Sequence, residues 1–277
     1  MILTQHINMY AEKSRILLQA KEFICVRPHP LLGVYVANYN VTFPTKTLMS
    51  GNFTIMPCGC AAISIEKGNN KIRVNLDGPI TKPYMAGTEA SKLDMLVTIE
   101  FRPAGLYALT GIAQSEIIDK TIPLEGVSTA FATQITEIIH KSNTIAELVN
   151  TLDTVLLANL RTAYRPELMM ALESIKESAG NISVKQLSHN THYSQRQLNR
   201  IFNQFVGMGT KSFSRLMRIN NTFQLLKKEG RSLDYISDIA GFHDLSHFIH
   251  DFSLVCGITP NEYRKNMSDF YNNPTRF

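Results

Sequence analysis

Over the first 125 residues, apolar positions come in short runs broken by Gly, Pro and Asn. Gly33–Asn38, Phe53–Met56, Ala61–Glu66, Lys71–Leu76 and Met95–Phe101 read as strands. Turn signals separate them: Gly68-Asn69-Asn70, Asp77-Gly78-Pro79 and Arg102-Pro103-Ala104-Gly105. Short strands at this spacing predict a β-sandwich or barrel. The period changes near Val127, where Phe131, Ile135, Ile138 and Ile139 recur on one helical face. Thr144-Ile145-Ala146-Glu147 has the capping-box form and opens another helix. That helix carries an apolar stripe of Leu148, Leu152, Val155, Leu156 and Leu160. Periodicity leaves open whether the stripe packs on its own sheet or on a second subunit.

Arg165-Pro166 marks a boundary, because the residue before a proline is pushed out of the helical region. Beyond it the pattern is nearly all helical, with segments near 167–178, 184–190, 195–206, 210–228, 233–240 and 245–255 and a short one near 260–268. Ser183 and Ser194 each stand three residues before a Gln, the form that closes a first helical turn from both sides. Ser232 and Asp244 are N-cap residue types. The expected class is α+β. A β-rich domain with trailing helices spans about 1–165, and an all-α domain spans about 166–277.

Within the second part, two segments have one shape: a short helix, a tight turn and a second helix with a polar face. In the first, Val184 and Leu187 precede His192-Tyr193, and Leu198, Ile201, Phe202 and Phe205 follow. In the second, Ile236 and Ile239 precede Gly241-Phe242, and Leu245, Phe248, Phe252 and Val255 follow. Such pairs bury one face and leave the polar face of the second helix for a major groove.

Charge sharpens this picture through its placement. The whole chain of 277 residues carries only +5. Between Ser183 and Lys228, however, lie eight Lys or Arg and no acid, while residues 229–277 carry a net −3. A long basic stretch without carboxylates suits a polyanion, since each neutralised phosphate releases condensed counterion. The bland reading is a solvated helix face. Four cysteines in a long chain, with charges throughout residues 1–20, suggest a reducing cytoplasm and no secretory leader.

The helical part resembles the AraC/XylS family of regulators over about 170–265. Gly209 precedes the joining helix, which carries Phe213, Leu216, Arg218, Thr222, Leu225 and Leu226 at that family's spacing. The closing signature follows: Ile236, Gly241-Phe242, Asp244, Ser246, Phe248, Phe252, Gly257, Pro260 and Tyr263-Arg264. There are departures. His192 stands where the family usually has Gly, Ser188 and Ser237 replace alanines, and His250-Asp251 and Ser253-Leu254 weaken a usually basic helix. A looser similarity joins Phe101–Tyr107, Leu109–Gly111 and Ile122–Leu124 to the cupin-like sensor domains of such regulators.

The resemblance implies two helix-turn-helix units joined by a long helix, each placing a polar helix in double-stranded DNA. The first-unit residues concerned are Ser194, Gln195, Arg196, Asn199 and Arg200, with Arg196 and Arg200 as base readers on one face. The second-unit residues are Asp244, Ser246, His247 and His250, which are weaker readers. Lys185, Lys211 and Arg215 suit phosphate contacts, and Arg218 suits packing between the units. The resemblance also implies contact with RNA polymerase, as an activator makes, while activation and repression both stay open. A small-molecule effector and a homodimer remain open, with no effector-binding residue assigned.

Other chemistry is thinly supported. His243, His247 and His250 share a helix face, but three spaced histidines alone are weak evidence for zinc. Cys58-Gly59-Cys60 lacks a second pair and reads as buried structure. Residues 1–165 hold only His6, His29 and His140, and no nucleophile or phosphate-cradling motif. No catalytic residue, cofactor or metal is expected. Two alternatives stand beside the regulator: a ligand-independent scaffold or antagonist acting through protein contacts, and an enzyme fused to a DNA-binding domain.

Overall fold

The computed structural model describes residues 2–46, 48, 53–86, 90–161, 164–267 and 270–271. The first part is built on β1 (Ile16–Gln19), β2 (Phe23–Val26), β3 (Val36–Thr42), β4 (Thr54–Ile55), β5 (Ala62–Gly68), β6 (Lys71–Asp77), β7 (Tyr84–Met85), β8 (Met95–Phe101) and β9 (Thr121–Pro123). Seven strands form one antiparallel sheet in the order β1-β2-β3-β8-β5-β6-β9. Its centre is in continuous register, with Tyr39 opposite Ile99 and Ile63 opposite Ile99 and Leu76. These side chains are fully buried on one face, while Asn40, Ser64 and Thr98 lie on the other.

The α+β class holds, with a β-rich first part and an all-helical remainder. Among the described residues β4 and β7 pair in a second, smaller sheet, and the main sheet runs from β1 to β9. Helices α3 (Thr129–Lys141) and α4 (Ile145–Asn159) supply the other wall of its core. Phe131, Ile135, Ile138, Leu148, Leu152 and Leu156 share one apolar cluster with the sheet. The α4 stripe therefore packs at home. Each such side chain contributes about 1.5–3 kcal/mol of burial.

One carboxylate interrupts that stripe. Asp153 is buried and accepts from Arg15 Nη2 (2.7 Å), the His29 backbone N–H (2.8 Å) and Tyr39 Oη (2.8 Å). Three donors make burial of the charge tolerable and lock α4 to the sheet.

Several local expectations shift. The strand read at Gly33–Asn38 begins only at Val36, because Pro30–Leu32 forms a short 3-10 turn before it. The run after Arg102-Pro103 is helical, not extended: α1 (Gly105–Thr110) buries Leu106 and Leu109, and α2 (Gln114–Ile117) follows. Thr144 caps α4, yet Glu147 accepts from the backbone of Asn143, one residue outside the expected box. Strands β1, β2, β7 and β9 lacked enough alternation to be read.

The helical part comprises α5 (Pro166–Glu177), α6 (Val184–Thr191), α7 (Gln195–Val206), α8 (Thr210–Leu226), α9 (Leu233–Ile239), α10 (Leu245–Cys256) and α11 (Pro260–Lys265), then β10 (Phe270–Tyr271). Arg165 is extended and Pro166 takes the first helical position, as the dipeptide requires. Two separate apolar cores form here. One joins α5, α6, α7 and the first half of α8 through Leu168, Leu187, Leu198, Phe202 and Phe213. The other joins the second half of α8 to α9, α10 and α11 through Phe223, Ile236, Phe248, Phe252 and Tyr263. No helix among the described residues is long and apolar enough to cross a membrane.

Candidate nucleic-acid interface

Helices α6 and α7 meet at a turn whose geometry follows from three residues. Ser183 and Ser194 each form a full capping box with Gln186 and Gln197. Between them His192 adopts the left-handed region, with φ 56°. Histidine tolerates that region better than most side chains, so the turn survives without glycine. The Ser188 hydroxyl donates to the Tyr193 carbonyl and closes the same turn. Its presence in place of the smaller residue thus has a local reason.

The second turn is built differently. Ser232 caps α9 and Asp244 caps α10, whose His247 N–H donates to Asp244 at 2.7 Å. Gly241, with φ 76°, faces Asn181 so closely that a Cβ would lie 2.6 Å from the Asn181 side chain. Asn181 also donates to the Ala240 carbonyl, linking the two units. Ser237 is buried, and its hydroxyl has no hydrogen-bond partner among the described residues.

Leu198, Ile201, Phe202 and Phe205 face the first core, which turns the opposite side of α7 outward. Ser194, Gln195, Arg196, Asn199 and Arg200 are all exposed there, and Lys185 and Lys211 are exposed nearby. Asn199 is already engaged: its Oδ1 accepts from Thr210 N–H at 3.0 Å, capping the start of α8. On α7, Gln195, Arg196 and Arg200 are exposed and, among the described residues, their side chains make no hydrogen bond or ion pair.

On α10, Phe248 and Phe252 turn inward while Ser246, His247 and His250 are exposed. A buried carboxylate draws the histidines together. Asp251 lies 3.4 Å from His247 Nε2, 3.6 Å from His250 Nδ1 and 3.5 Å from Arg215 Nε. Arg215 is thus held beside α10, in line with a structural as well as a phosphate role. Arg218 lies with its guanidinium 5.1 Å from the Phe242 ring centre, and burial lowers its pKa against the pull of Asp251. It packs between the units, as its position in the joining helix suggested.

Some acids of the second unit are engaged inside it. Asp244 and Glu262 cap helices, and backbone N–H donors hold both carboxyls below the usual range. Negative charge at a helix start opposes the dipole favourably. The net −3 is therefore partly an internal feature of the fold.

Among the described residues, no group of three or more His, Cys, Asp or Glu is placed to hold a metal ion. Cys58 and Cys60 are buried, and the Cys60 N–H donates to Cys58 Sγ. Sequence reasoning missed the groups that the first part brings to these helices. Tyr107 stacks on Phe205 with ring centres 4.2 Å apart, and its hydroxyl accepts from Gln204 at 3.0 Å. Tyr107 stands only in the looser sensor-like segment, which gives no sign of this contact.

Residues 187–266 match a family model described as a helix-turn-helix domain. The uncharacterized HTH-type transcriptional regulator YisR of Bacillus subtilis is 29% identical over 86 residues, covering 31% of this chain and 30% of that protein. The HTH-type transcriptional activator RhaR of Pectobacterium carotovorum is 25% identical over 108 residues, covering 39% and 38%. This chain thus spans only 30% and 38% of the length of these two relatives. A transcriptional regulator from Chromobacterium violaceum with an AraC-type DNA-binding domain is 28% identical, covering 36% of this chain and 90% of that one, with a TM-score of 0.34. With the signature from Gly209 to Arg264 seated on two such units, the C-terminal part of this chain matches a helix-turn-helix domain.

Proposed function

We propose that this chain is a sequence-specific, DNA-binding transcription regulator. Residues 166–277 bind the duplex, and residues 1–165 sense or dimerise. One observation carries the reading. Helix α7 presents Gln195, Arg196 and Arg200 to solvent, within a stretch of eight cations and no acid. An arginine can pair with guanine at two points, and glutamine with adenine. Arg196 and Arg200, four residues apart, share a helix face and can reach successive bases. Asn199 adds less than its residue type suggests, because its oxygen caps α8. Ser194 orients the helix start, while Lys185 and Lys211 contact phosphate. Arg215 divides its charge between phosphate and Asp251.

The second unit contributes mainly shape and backbone contacts, through Ser246, His247 and His250 around the Asp244 cap. Contact with RNA polymerase and a cytoplasmic location belong to the same reading, and catalysis has no part in it.

A specific feature favours modulation by a small molecule. A cavity of about 200 Å³ lies where the sheet meets α5 and α8, lined by Arg102, Tyr164, Leu172, Lys176, Phe213 and Met217. Arg102 is oriented by Nε donating to the Gly33 carbonyl. An occupant would touch both parts of the chain, and would act only by binding two arrangements unequally.

Selection of bound sequences from a random duplex pool, using the full chain near physiological salt, tests the proposal. A recurring motif is the expected result. Binding without enrichment that vanishes as salt rises would reduce the interaction to charge attraction alone.

A further inference from the structure

We infer that the β-rich part fixes the spacing and angle between the two reading helices, and so selects the operator spacing that the chain accepts. The inference rests on the DNA-binding reading above. Its starting point is the separation of the two helical cores, which have no buried residue in common. Between the units themselves stand the shared helix α8 and a few contacts: Arg215 with Asp251, Arg218 with Phe242, Asn181 with Ala240, and the half-buried Val255. Partly solvated polar contacts hold two cores loosely.

The first part reaches both cores. Ala104 is buried in the first and Met56 in the second, at 1% exposure. Two of its loops carry this contact and are tied together, since Cys58 and Gly59 N–H both donate to the Ile80 carbonyl. Asp119 anchors the second loop by accepting from the Thr81 backbone and hydroxyl.

That loop touches equivalent points of the two units. Gly207 ends α7 and Gly257 ends α10, each in the left-handed region. A Cβ on Gly207 would meet Pro79 at 3.1 Å, and a Cβ on Gly257 would meet Pro83 at 3.6 Å. Between these points, Asn220 of α8 donates to the Pro57 carbonyl at 3.1 Å. Beyond the second unit, β10 pairs in parallel with β4, joining Phe270 to Thr54. The β-rich part thus bridges both units and the helix between them. A duplex offers its grooves at set intervals, so a fixed separation of reading helices is itself a specificity device.

The test uses the full chain with spin labels at two exposed positions outside the reading helices, His189→Cys on α6 and Asp238→Cys on α9. The four native cysteines are buried. Wild type should give one narrow label-to-label distance. Asn220→Ala and Met56→Ala, singly and together, should widen it roughly twofold if the bridging contacts suppress sliding of packed units. In duplex selection the same variants should retain the conserved block under the first unit but lose the single spacing to the weaker, shape-dependent block under the second. Met56→Leu should restore both readouts. Should Met56→Ala fail to fold, Asn220→Ala with Pro83→Ala carries the test, since neither empties a core. Unchanged distance widths and unchanged block spacing would overturn the inference while leaving the proposed function standing. A wild-type chain that enriches no duplex would overturn both.

Discussion

The first helix-turn-helix unit turns its arginines outward, whereas the second buries a carboxylate and uses two more as helix caps. Helix α7 has uncapped arginines on its open face and serine-glutamine boxes at its start. Helix α10 starts from an aspartate cap, and its histidines lean toward buried Asp251. The two cores are equally dry, with Phe202 and Phe252 both fully buried. One fold plan thus supports two different uses. Burial is set by the shared apolar spacing, while the polar face is free to vary because solvent or DNA, not a core, receives it.

Core truncation should give the largest effect and the least contrast. Phe202→Ala and Phe252→Ala are each expected to cost about 3–5 kcal/mol. Because the cores are separate, the losses should add within about 0.5 kcal/mol in the double variant, read from urea midpoints. Strong non-additivity would merge the units energetically.

DNA affinity should then separate them. Arg196→Ala and Arg200→Ala are each expected to weaken specific binding by about 1–3 kcal/mol and to relax base preference locally. Ser246→Ala and His250→Ala should do less in the same titrations. Equal losses from both units would break the comparison.

The two serines that replace the family's alanines should respond with opposite sign. Ser188→Ala removes a turn hydrogen bond and should cost about 1 kcal/mol. Ser237→Ala removes a buried hydroxyl without a partner among the described residues and should stabilise the chain by about 1 kcal/mol. Thermal unfolding of both variants decides the matter.

The smallest expected contrast lies in acid sensitivity. Asp244 is held below its ordinary pKa by the His247 N–H and by His243. A lowered folded value means that its capping contribution is complete above the ordinary aspartate range and lost as pH falls through the folded value. The Ser194 cap has no titrating group. Amide exchange at His247 should therefore quicken relative to Gln197 on acidification. A parallel change at both would assign it to global loosening.

Much of the helical part was legible because its signals are local. Capping serines, Pro166 and Gly241 act within a few residues of themselves, and α7 runs over Gln195–Val206 as its apolar spacing predicts. The β-rich part was harder. Helix α1 follows a turn-like Arg-Pro-Ala-Gly segment, and its apolar residues are too few to establish a period. Asn199 was legible as an exposed amide, but not as the cap of a helix eleven residues on.

Sequence alone determined the element types of the helical part, the paired helix-turn-helix plan and the basic stretch, since periodicity, capping and charge are properties of neighbouring residues. Tertiary structure decided which polar groups remain open. Asp251, Asn199 and Arg215 are engaged by residues from other helices. It also decided that Met56 and Ala104 enter the helical cores. Those outcomes depend on chain segments distant in sequence meeting in space, where desolvation and partner geometry set what each side chain can do.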